Sequence, residues 1–209
     1  MHLRPVFTET DDARILALIA AHPFGLLITH GARGVEASHI PFLLTRAEGG
    51  FTLSGHLAAG NAQCDRLDGQ SALAVFGGPH AYIAPSWYET QPAVPTWDYA
   101  AVHVAGTLHP VTDRANMARD LQGLAADDPG GFSVGAMAPS YRNTMMDGIR
   151  AFTLVPTTVQ AQWKMSQNRS QQDRVQVAEA LRNQGEASSA EVATLIEATL
   201  PGRLGPAAK

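Results

Sequence analysis

The chain contains little cysteine, little charge and no basic surplus. Its 209 residues include a single cysteine, Cys64, which excludes an intrachain disulfide and is typical of a reducing compartment. Charged residues make up 16% of the chain, and the formal net charge is −4. Dedicated DNA-binding domains usually carry a basic surplus that neutralises phosphates, so this composition favours another class of protein.

Long apolar runs and common catalytic motifs are missing as well. No stretch of about 18 apolar residues occurs, which predicts that the chain has no membrane span. The first residues reach Glu9, Asp11 and Asp12 without an apolar run, so we expect no secretory signal and a cytoplasmic protein. The eight histidines form no H-x-H or H-E-x-x-H motif, and no P-loop, nucleophile elbow or G-x-G-x-x-G fingerprint is found. The sequence predicts neither a metal site nor a Rossmann dinucleotide site.

What the chain does contain is a series of short apolar segments separated by turns rich in glycine and proline. These segments predict strands over 24–29, 35–45, 51–55, 71–77, 101–108 and 149–162. The second strand should break near Pro41, because proline cannot donate to a sheet ladder. Residues 78–99 hold four prolines and five aromatic residues, and they predict a long functional loop.

Helical periodicity appears at the start of the chain and dominates its end. A first helix should begin between Thr8 and Asp12 and stop before Pro23, and others are predicted over 112–126, 141–147, 171–183 and 189–199. Strands followed by helices predict a mainly β (α+β) fold, an antiparallel barrel with peripheral helices. We expect a barrel domain over 1–165 and a C-terminal helical extension over 166–209, with frayed residues from 201 to 209.

Four polar and aromatic segments are candidates for a binding site: 37–42, 55–61, 78–103 and 164–169. The second should pass from a strand into a helix, and backbone N–H groups at a helix start favour an anion such as phosphate. The fourth places two cations among amide and hydroxyl side chains, which also favours anion recognition. A rigid loop packed on the core is the alternative for Trp87 and Tyr88. A buried, hydrogen-bonded imidazole is the alternative for the histidines.

The same segments resemble the PaiB family of FMN-binding negative transcriptional regulators, from about residue 1 to residue 183. The matching segments are 23–25, 38–42, 55–58, 78–83, 85–88, 94–97, 101–103 and 166–169. The resemblance implies a split β-barrel like that of pyridoxamine-phosphate oxidase. It also implies a homodimer with FMN bound across the subunit interface, and a role in repressing transcription.

From the segments and the resemblance together we predict a set of cofactor-binding residues. They are Ser38, His39, Ile40, His56, Asn61, Thr96, Trp97, Lys164, Gln167, Asn168 and Arg169.

Three positions depart from the family pattern. Ala59 stands where the family usually has arginine, Ala62 where it has proline, and Cys64 where it has tryptophan. If that arginine pairs with the flavin phosphate, its loss removes a charge-assisted hydrogen bond worth about 1.5–3 kcal/mol. Lys164 and Arg169 are the candidates to compensate.

Three functions stay open at this point. The first is a flavin-binding protein with a redox or sensory role, including a flavin oxidoreductase with no DNA role. The second is a transcriptional regulator, although the acidic second terminal helix, with Glu191 and Glu197, gives direct DNA binding little support. The third is a haem-binding split-barrel protein in which a histidine such as His39, His56, His80 or His103 is the axial ligand.

Overall fold

A computed structural model describes residues 1–32 and 34–201. Arg33, in the first predicted turn, and most of the end predicted to fray lie outside the described residues. The described part of the chain contains eight strands and five α-helices. The strands are β1 (Thr8–Glu9), β2 (Phe24–Gly31), β3 (Gly34–Pro41), β4 (Leu43–Ala47), β5 (Gly50–Ala58), β6 (Ser71–Ile83), β7 (Thr96–Val111) and β8 (Ile149–Lys164). The helices are α1 (Asp12–Ala21), α2 (Arg114–Leu124), α3 (Pro139–Asp147), α4 (Gln171–Asn183) and α5 (Ala187–Ala198).

The described residues form two compact units, and β6, β7 and β8 each contribute to both. The barrel unit comprises Asp12–Phe76 and His103–Val159. The terminal unit comprises Met1–Asp11, Gly77–Val102 and the described residues from 160 to 201. These units are defined by contacts and not by independent folding, so the domain division at residue 165 stays a prediction.

The sheet runs in the order β3-β2-β6-β7-β8-β5-β4, and β1 pairs with β8. The two strands at the ends of this order are consecutive in the chain, with only Phe42 between them. The Phe42 amide donates to the carbonyl oxygen of Pro23 at 2.9 Å. Its ring makes edge contacts with Phe76 and Phe152, at centroid distances of 5.2 and 6.4 Å. The chain thus closes the barrel by turning a corner at Phe42, which confirms the break predicted near Pro41 and the mainly β, antiparallel fold.

Glycines allow close packing inside this barrel. A Cβ at Gly106 would lie 2.3 Å from the carbonyl oxygen of Val155, so β7 approaches β8 more closely than any side chain permits. A Cβ at Gly55 would lie 2.9 Å from the ring of Phe152. On one outer side, Met117 of α2, Met146 of α3 and Val134 pack against Ala151 of β8.

The loop predicted over 78–99 is shorter than expected, because β6 extends to Ile83 and β7 begins at Thr96. Pro79 and the preceding glycines weaken the local strand signal, since proline cannot donate to a ladder. The structure satisfies the backbone at His80 in another way. Its N–H donates to Ser188 Oγ at 3.0 Å, and its carbonyl accepts from the same hydroxyl at 2.7 Å.

The terminal helices pack on each other through fully buried residues that include Val177, Leu181, Val192 and Ile196. Ser170 caps α4 by accepting from the Asp173 amide at 3.0 Å. Among the described helices, none combines the length and the apolarity that a membrane span requires.

Candidate functional site

In the terminal unit, β7 and β8 are joined through Lys164, the last residue of β8. Its ammonium donates to Thr96 Oγ1 at 2.7 Å, to the carbonyl oxygen of Trp97, and to Asp98 Oδ1 at 3.3 Å. A lysine ammonium has three N–H donors, and these bonds engage all three. Lys164 is therefore held within the chain, and the Asp98 carboxylate balances its charge.

Asp98 is a fully buried carboxylate, with 0% of its surface exposed. Its second oxygen accepts from the Ser166 hydroxyl at 2.6 Å. Burial raises the pKa of the Asp98 carboxyl, while the Ser166 hydroxyl and the Lys164 ammonium act in the opposite direction. Neither Asp98 nor Ser166 is among the predicted site residues. The one signal in the sequence is an acidic residue between Trp97 and Tyr99, in a position where strands rarely carry one.

The turn that follows Ser166 contains the other predicted residues of this segment. Gln167 is engaged internally, because its Oε1 accepts from the Met165 amide and its Nε2 donates to the Trp163 carbonyl, both at 2.6 Å. The Arg169 guanidinium lies over the ring of Tyr88, 4.2 Å from its centroid. Within the described chain its N–H groups have no hydrogen-bond acceptor, so Arg169 offers free donors for an anion.

Aromatic side chains form an exposed group on β6 and β7. Trp97 is 54% exposed and Tyr82 is 45% exposed, and their rings meet edge to face at 5.9 Å. The imidazole of His80 lies 6.1 Å from the Trp97 ring. Exposed indole and phenol rings offer flat apolar surface together with polar edges, which suits a planar heteroaromatic ligand.

One buried amide in this unit lacks a complete set of partners. Gln162 of β8 is 5% exposed, and its Nε2 donates to the Tyr99 hydroxyl at 2.8 Å. Its Oε1 is buried and has no partner among the described residues. Buried polar atoms are normally hydrogen-bonded, so this oxygen fits an N–H group of a bound ligand or a bound water molecule.

In the barrel unit, Ser38 and Asn61 meet at Gln63. The Ser38 hydroxyl donates to Gln63 Oε1 and accepts from Asn61 Nδ2 at 2.9 Å. Asn61 Oδ1 accepts from the Gln63 amide at 2.9 Å and so caps the 3₁₀ turn Ala62–Arg66. Gln63 is buried and also donates to Thr29 Oγ1 at 2.9 Å. The helix start predicted as an anion site is thus a five-residue 3₁₀ turn whose cap is already filled by Asn61. Gln63, a residue that the sequence analysis does not single out, organises this cluster.

The remaining barrel candidates point in different directions. Side chains alternate along a strand, so Ser38 and Ile40 face one side of β3 and His39 faces the other. Ile40 is buried beside Gly55, whereas His39 is exposed and stacks on Phe24 at 6.1 Å. His56 is half-buried, its Nδ1 has no partner among the described residues, and burial lowers its pKa.

A cavity of about 500 Å³ lies beside Ala59, the position at which the family usually has arginine. Its wall includes the exposed Arg66, but also the carboxylates of Glu36 and Asp65. The acidic groups outnumber the arginine, so this cavity is a poorer anion site than the free guanidinium of Arg169.

These observations agree with a flavin as ligand. The terminal unit offers a flat aromatic surface, a buried acceptor for an N–H group and a guanidinium for a phosphate. The described residues contain no group of three or more metal-binding side chains. Fold and site together define a split-barrel protein with groups suited to a planar, anionic ligand.

Comparison with known proteins identifies the family. The model of a family described as "Putative FMN-binding domain" matches residues 1–158, which is most of the chain. The chain belongs to this family, and it is an FMN-binding split-barrel protein of the PaiB type. FMN is the cofactor that the sequence analysis predicted, and the family confirms it.

Individual relatives agree with this assignment. The chain is 29% identical to the Bacillus subtilis protein named "Protease synthase and sporulation protein PAI 2", over 94% of this chain and 97% of the relative. A conserved hypothetical protein from Mycobacterium tuberculosis shares the fold with a TM-score of 0.57 and 12% identity, over 80% of this chain and 92% of that one. An FAD and heme binding protein from Mycobacterium smegmatis has a TM-score of 0.56 and 14% identity, over 75% and 73% of the two chains. At these identities the two structures support the fold alone.

Two half-buried histidines predict how stability changes with pH. Burial lowers the pKa of His56 and of His103 below the ordinary value of 6.5. When the pH falls below 6.5, the unfolded chain takes up protons before the folded chain does, so stability is lost in that range. We expect the melting temperature to fall between about pH 7.5 and about pH 5.5, and His56→Gln to make this fall smaller. An unchanged slope in the variant would contradict this account of His56.

Proposed function

We propose that the chain uses FMN in a redox or sensing role, and that the terminal unit binds the cofactor through Trp97 and Arg169. The observation that carries this proposal is that the guanidinium of Arg169 has no hydrogen-bond acceptor among the described residues and lies in the same unit as an exposed indole. The Ser166 hydroxyl bonds to Asp98, the residue after Trp97, so the turn that carries Arg169 is held against the start of β7.

The proposed roles follow from the chemistry of each group. Bound FMN supplies electron transfer through its ring system, and the protein supplies orientation and electrostatics. Trp97 packs against the ring, Arg169 pairs with the phosphate in a charge-assisted hydrogen bond, and Gln162 Oε1 accepts from a ring N–H. Asn168 is exposed in the same turn and offers an amide to the polar edge of the cofactor.

Other predicted residues support the site indirectly. The hydroxyl of Thr96 and the amide of Gln167 hold their own segments in place. In the barrel unit, Ser38 and Asn61 are bonded to Gln63. We propose that Thr96 and Gln167 support the cofactor site of the terminal unit, and that Ser38 and Asn61 stabilise the barrel unit through Gln63.

Flavin binding is tested with the purified full-length chain. We expect a yellow protein that releases FMN on denaturation, or a colourless one that binds added FMN with the shifted absorbance of bound flavin. Arg169→Ala should weaken FMN by about tenfold to a hundredfold, the equivalent of about 1.5–3 kcal/mol. Trp97→Ala should cost about 0.5–1.5 kcal/mol of packing. Titration monitored by flavin fluorescence measures both effects.

Arg182→Ala is the matched control, because Arg182 is an arginine of the same unit that already pairs with Glu197 at 2.8 Å. It should leave the FMN affinity unchanged. The haem alternative would be supported if the protein does not bind FMN but gives a Soret band with haem, and if replacement of one histidine removes that band.

We further propose that the protein is a homodimer and that the outer face of the barrel unit forms the contact. Here the outer face means eight side chains that point away from the barrel interior: Phe24, Leu26, Ile28, Val35, Ala37, His39, Leu73 and Val75. Their registers place them side by side, with Leu26 opposite both His39 and Val75, and Ile28 opposite both Ala37 and Leu73.

Two features of this face favour a second copy of the chain as its partner. It contains no charged side chain, and Phe24 and Val35 are 65% and 73% exposed. A sheet face of this kind is usually covered, and an uncharged face is complementary to itself across a two-fold axis.

The oligomeric state tests this contact. Phe24→Asp would bury an unpaired carboxylate in the interface, so we expect it to convert the dimer to a monomer. Val155→Asp, at another exposed apolar position of the barrel unit, is the matched control and should leave the dimer intact. Light scattering after size exclusion gives the mass. A monomeric unmodified chain, or a dimer that tolerates Phe24→Asp, would contradict the proposal.

A role in gene regulation is the second candidate, favoured by the relation to the Bacillus subtilis protein, whose name refers to protease synthesis and sporulation. We propose that any such role operates without direct DNA contact, in the cytoplasm. The two arginines of α4 are engaged internally, since Arg174 donates to Thr199 and Arg182 pairs with Glu197. A salt-sensitive mobility shift with promoter DNA would overturn this view.

A further inference from the structure

The segment that carries Arg169 is anchored at a buried charge. Asp98 has no exposed surface, and its two oxygens accept from two residues of the segment 164–169, Lys164 at 3.3 Å and Ser166 at 2.6 Å. Buried carboxylates are costly unless they are paired and hydrogen-bonded. This carboxylate has both kinds of partner, and both come from the same end of β8 and the turn after it.

Ser166 adopts a conformation that its side chain does not favour. Its φ is +56°, and it is the one described residue other than glycine with a positive φ. Left-handed backbone is unfavourable for a residue with a Cβ, and it persists where surrounding contacts impose it. Ser166 is 2% exposed, and its hydroxyl donates to Asp98 at 2.6 Å, a contact that favours this conformation.

The left-handed residue determines the direction of the turn. The Arg169 amide donates to the Ser166 carbonyl at 2.9 Å, so the position of Arg169 depends on the backbone of Ser166. Lys164 cannot take over the role of Arg169, because its three donors are engaged and its charge is balanced by Asp98.

We propose that Asp98 and Ser166 are positioning residues for FMN: they hold the turn 166–169 so that Arg169 reaches the phosphate. This inference rests on the proposed function and adds how the chain holds its phosphate contact without arginine at position 59. Asp98 holds the Ser166 side chain, the Ser166 backbone positions the turn, and Arg169 binds the anion.

The test compares FMN with riboflavin, which has the same ring and lacks the phosphate. The ratio of the two affinities reports the phosphate contact alone. Arg169→Ala should lower this ratio by about tenfold to a hundredfold. Ser166→Ala should lower it by about tenfold, because a turn displaced by about 1 Å loses its charge-assisted bond. The riboflavin affinity should stay unchanged in both variants.

Two further variants separate positioning from general stability. Ser189→Ala removes another buried hydroxyl of the same unit, one that bonds to Gln184 at 2.9 Å, and should leave the ratio unchanged. Ser166→Gly accepts the left-handed backbone without strain, so it folds even if Ser166→Ala does not, and it should also lower the ratio. Ser166→Ala combined with Arg169→Ala should be no worse than Arg169→Ala alone, because nothing remains to be positioned.

The outcomes distinguish this inference from the proposed function. If the unmodified chain binds neither ligand, the proposed function fails, and the inference fails with it. If the chain binds FMN and Arg169→Ala lowers the ratio but neither Ser166 variant does, FMN binding stands and the positioning role is wrong. A loss of FMN and riboflavin affinity by the same factor in the Ser166 variants would show a purely structural role, which also overturns the inference.

Discussion

The barrel depends on one constraint, the corner at Phe42. The first and last strands of the sheet order are consecutive in the chain, so a single residue must turn the backbone from one strand to the next. Phe42 does this while its ring fills the interior against Phe76 and Phe152. Next to this corner β3 pairs with β2, with Pro41 opposite Phe24, and this register determines which side chains face inward. Because a shift by one residue exchanges the two faces of a strand, the inward position of Ser38 and the outward position of His39 both follow from this register.

The terminal unit uses charge where the barrel unit uses aromatic packing. A buried carboxylate, Asp98, joins the start of β7 to the end of β8 through Lys164 and Ser166. A second carboxylate, Asp173 of α4, accepts from the amides of Glu89 and Thr90 at 2.8 and 3.1 Å and so holds the shortened loop against the terminal helices. Both carboxylates satisfy the rule that buried charge needs specific partners. The two carboxylates thereby hold the start of β7, which carries Trp97, and the turn 166–169, which carries Arg169.

The two cations of the segment 164–169 show what the sequence can and cannot distinguish. Lys164 and Arg169 are equivalent candidates in the sequence, since each is a cation among polar neighbours. The structure separates them. Lys164 donates to Thr96, Trp97 and Asp98, whereas the Arg169 guanidinium lies over Tyr88 and has no acceptor in the part of the chain that the structure describes. Ser38 and Asn61 show the same limitation, since their bonds to Gln63 depend on three segments that meet only in the folded barrel.

The local pattern of residues in the sequence was enough to predict the class of fold, the break near Pro41 and most of the helices. It also indicated the segments that carry polar and aromatic side chains. These features depend on periodicity, on turn chemistry and on the order of motifs, all of which are local in the chain. The full lengths of β6 and β7, the free guanidinium of Arg169, the buried carboxylate of Asp98 and the uncharged outer face were decided by tertiary structure alone. Each of them depends on which atoms from distant segments become neighbours, and that is settled only when the sheet closes.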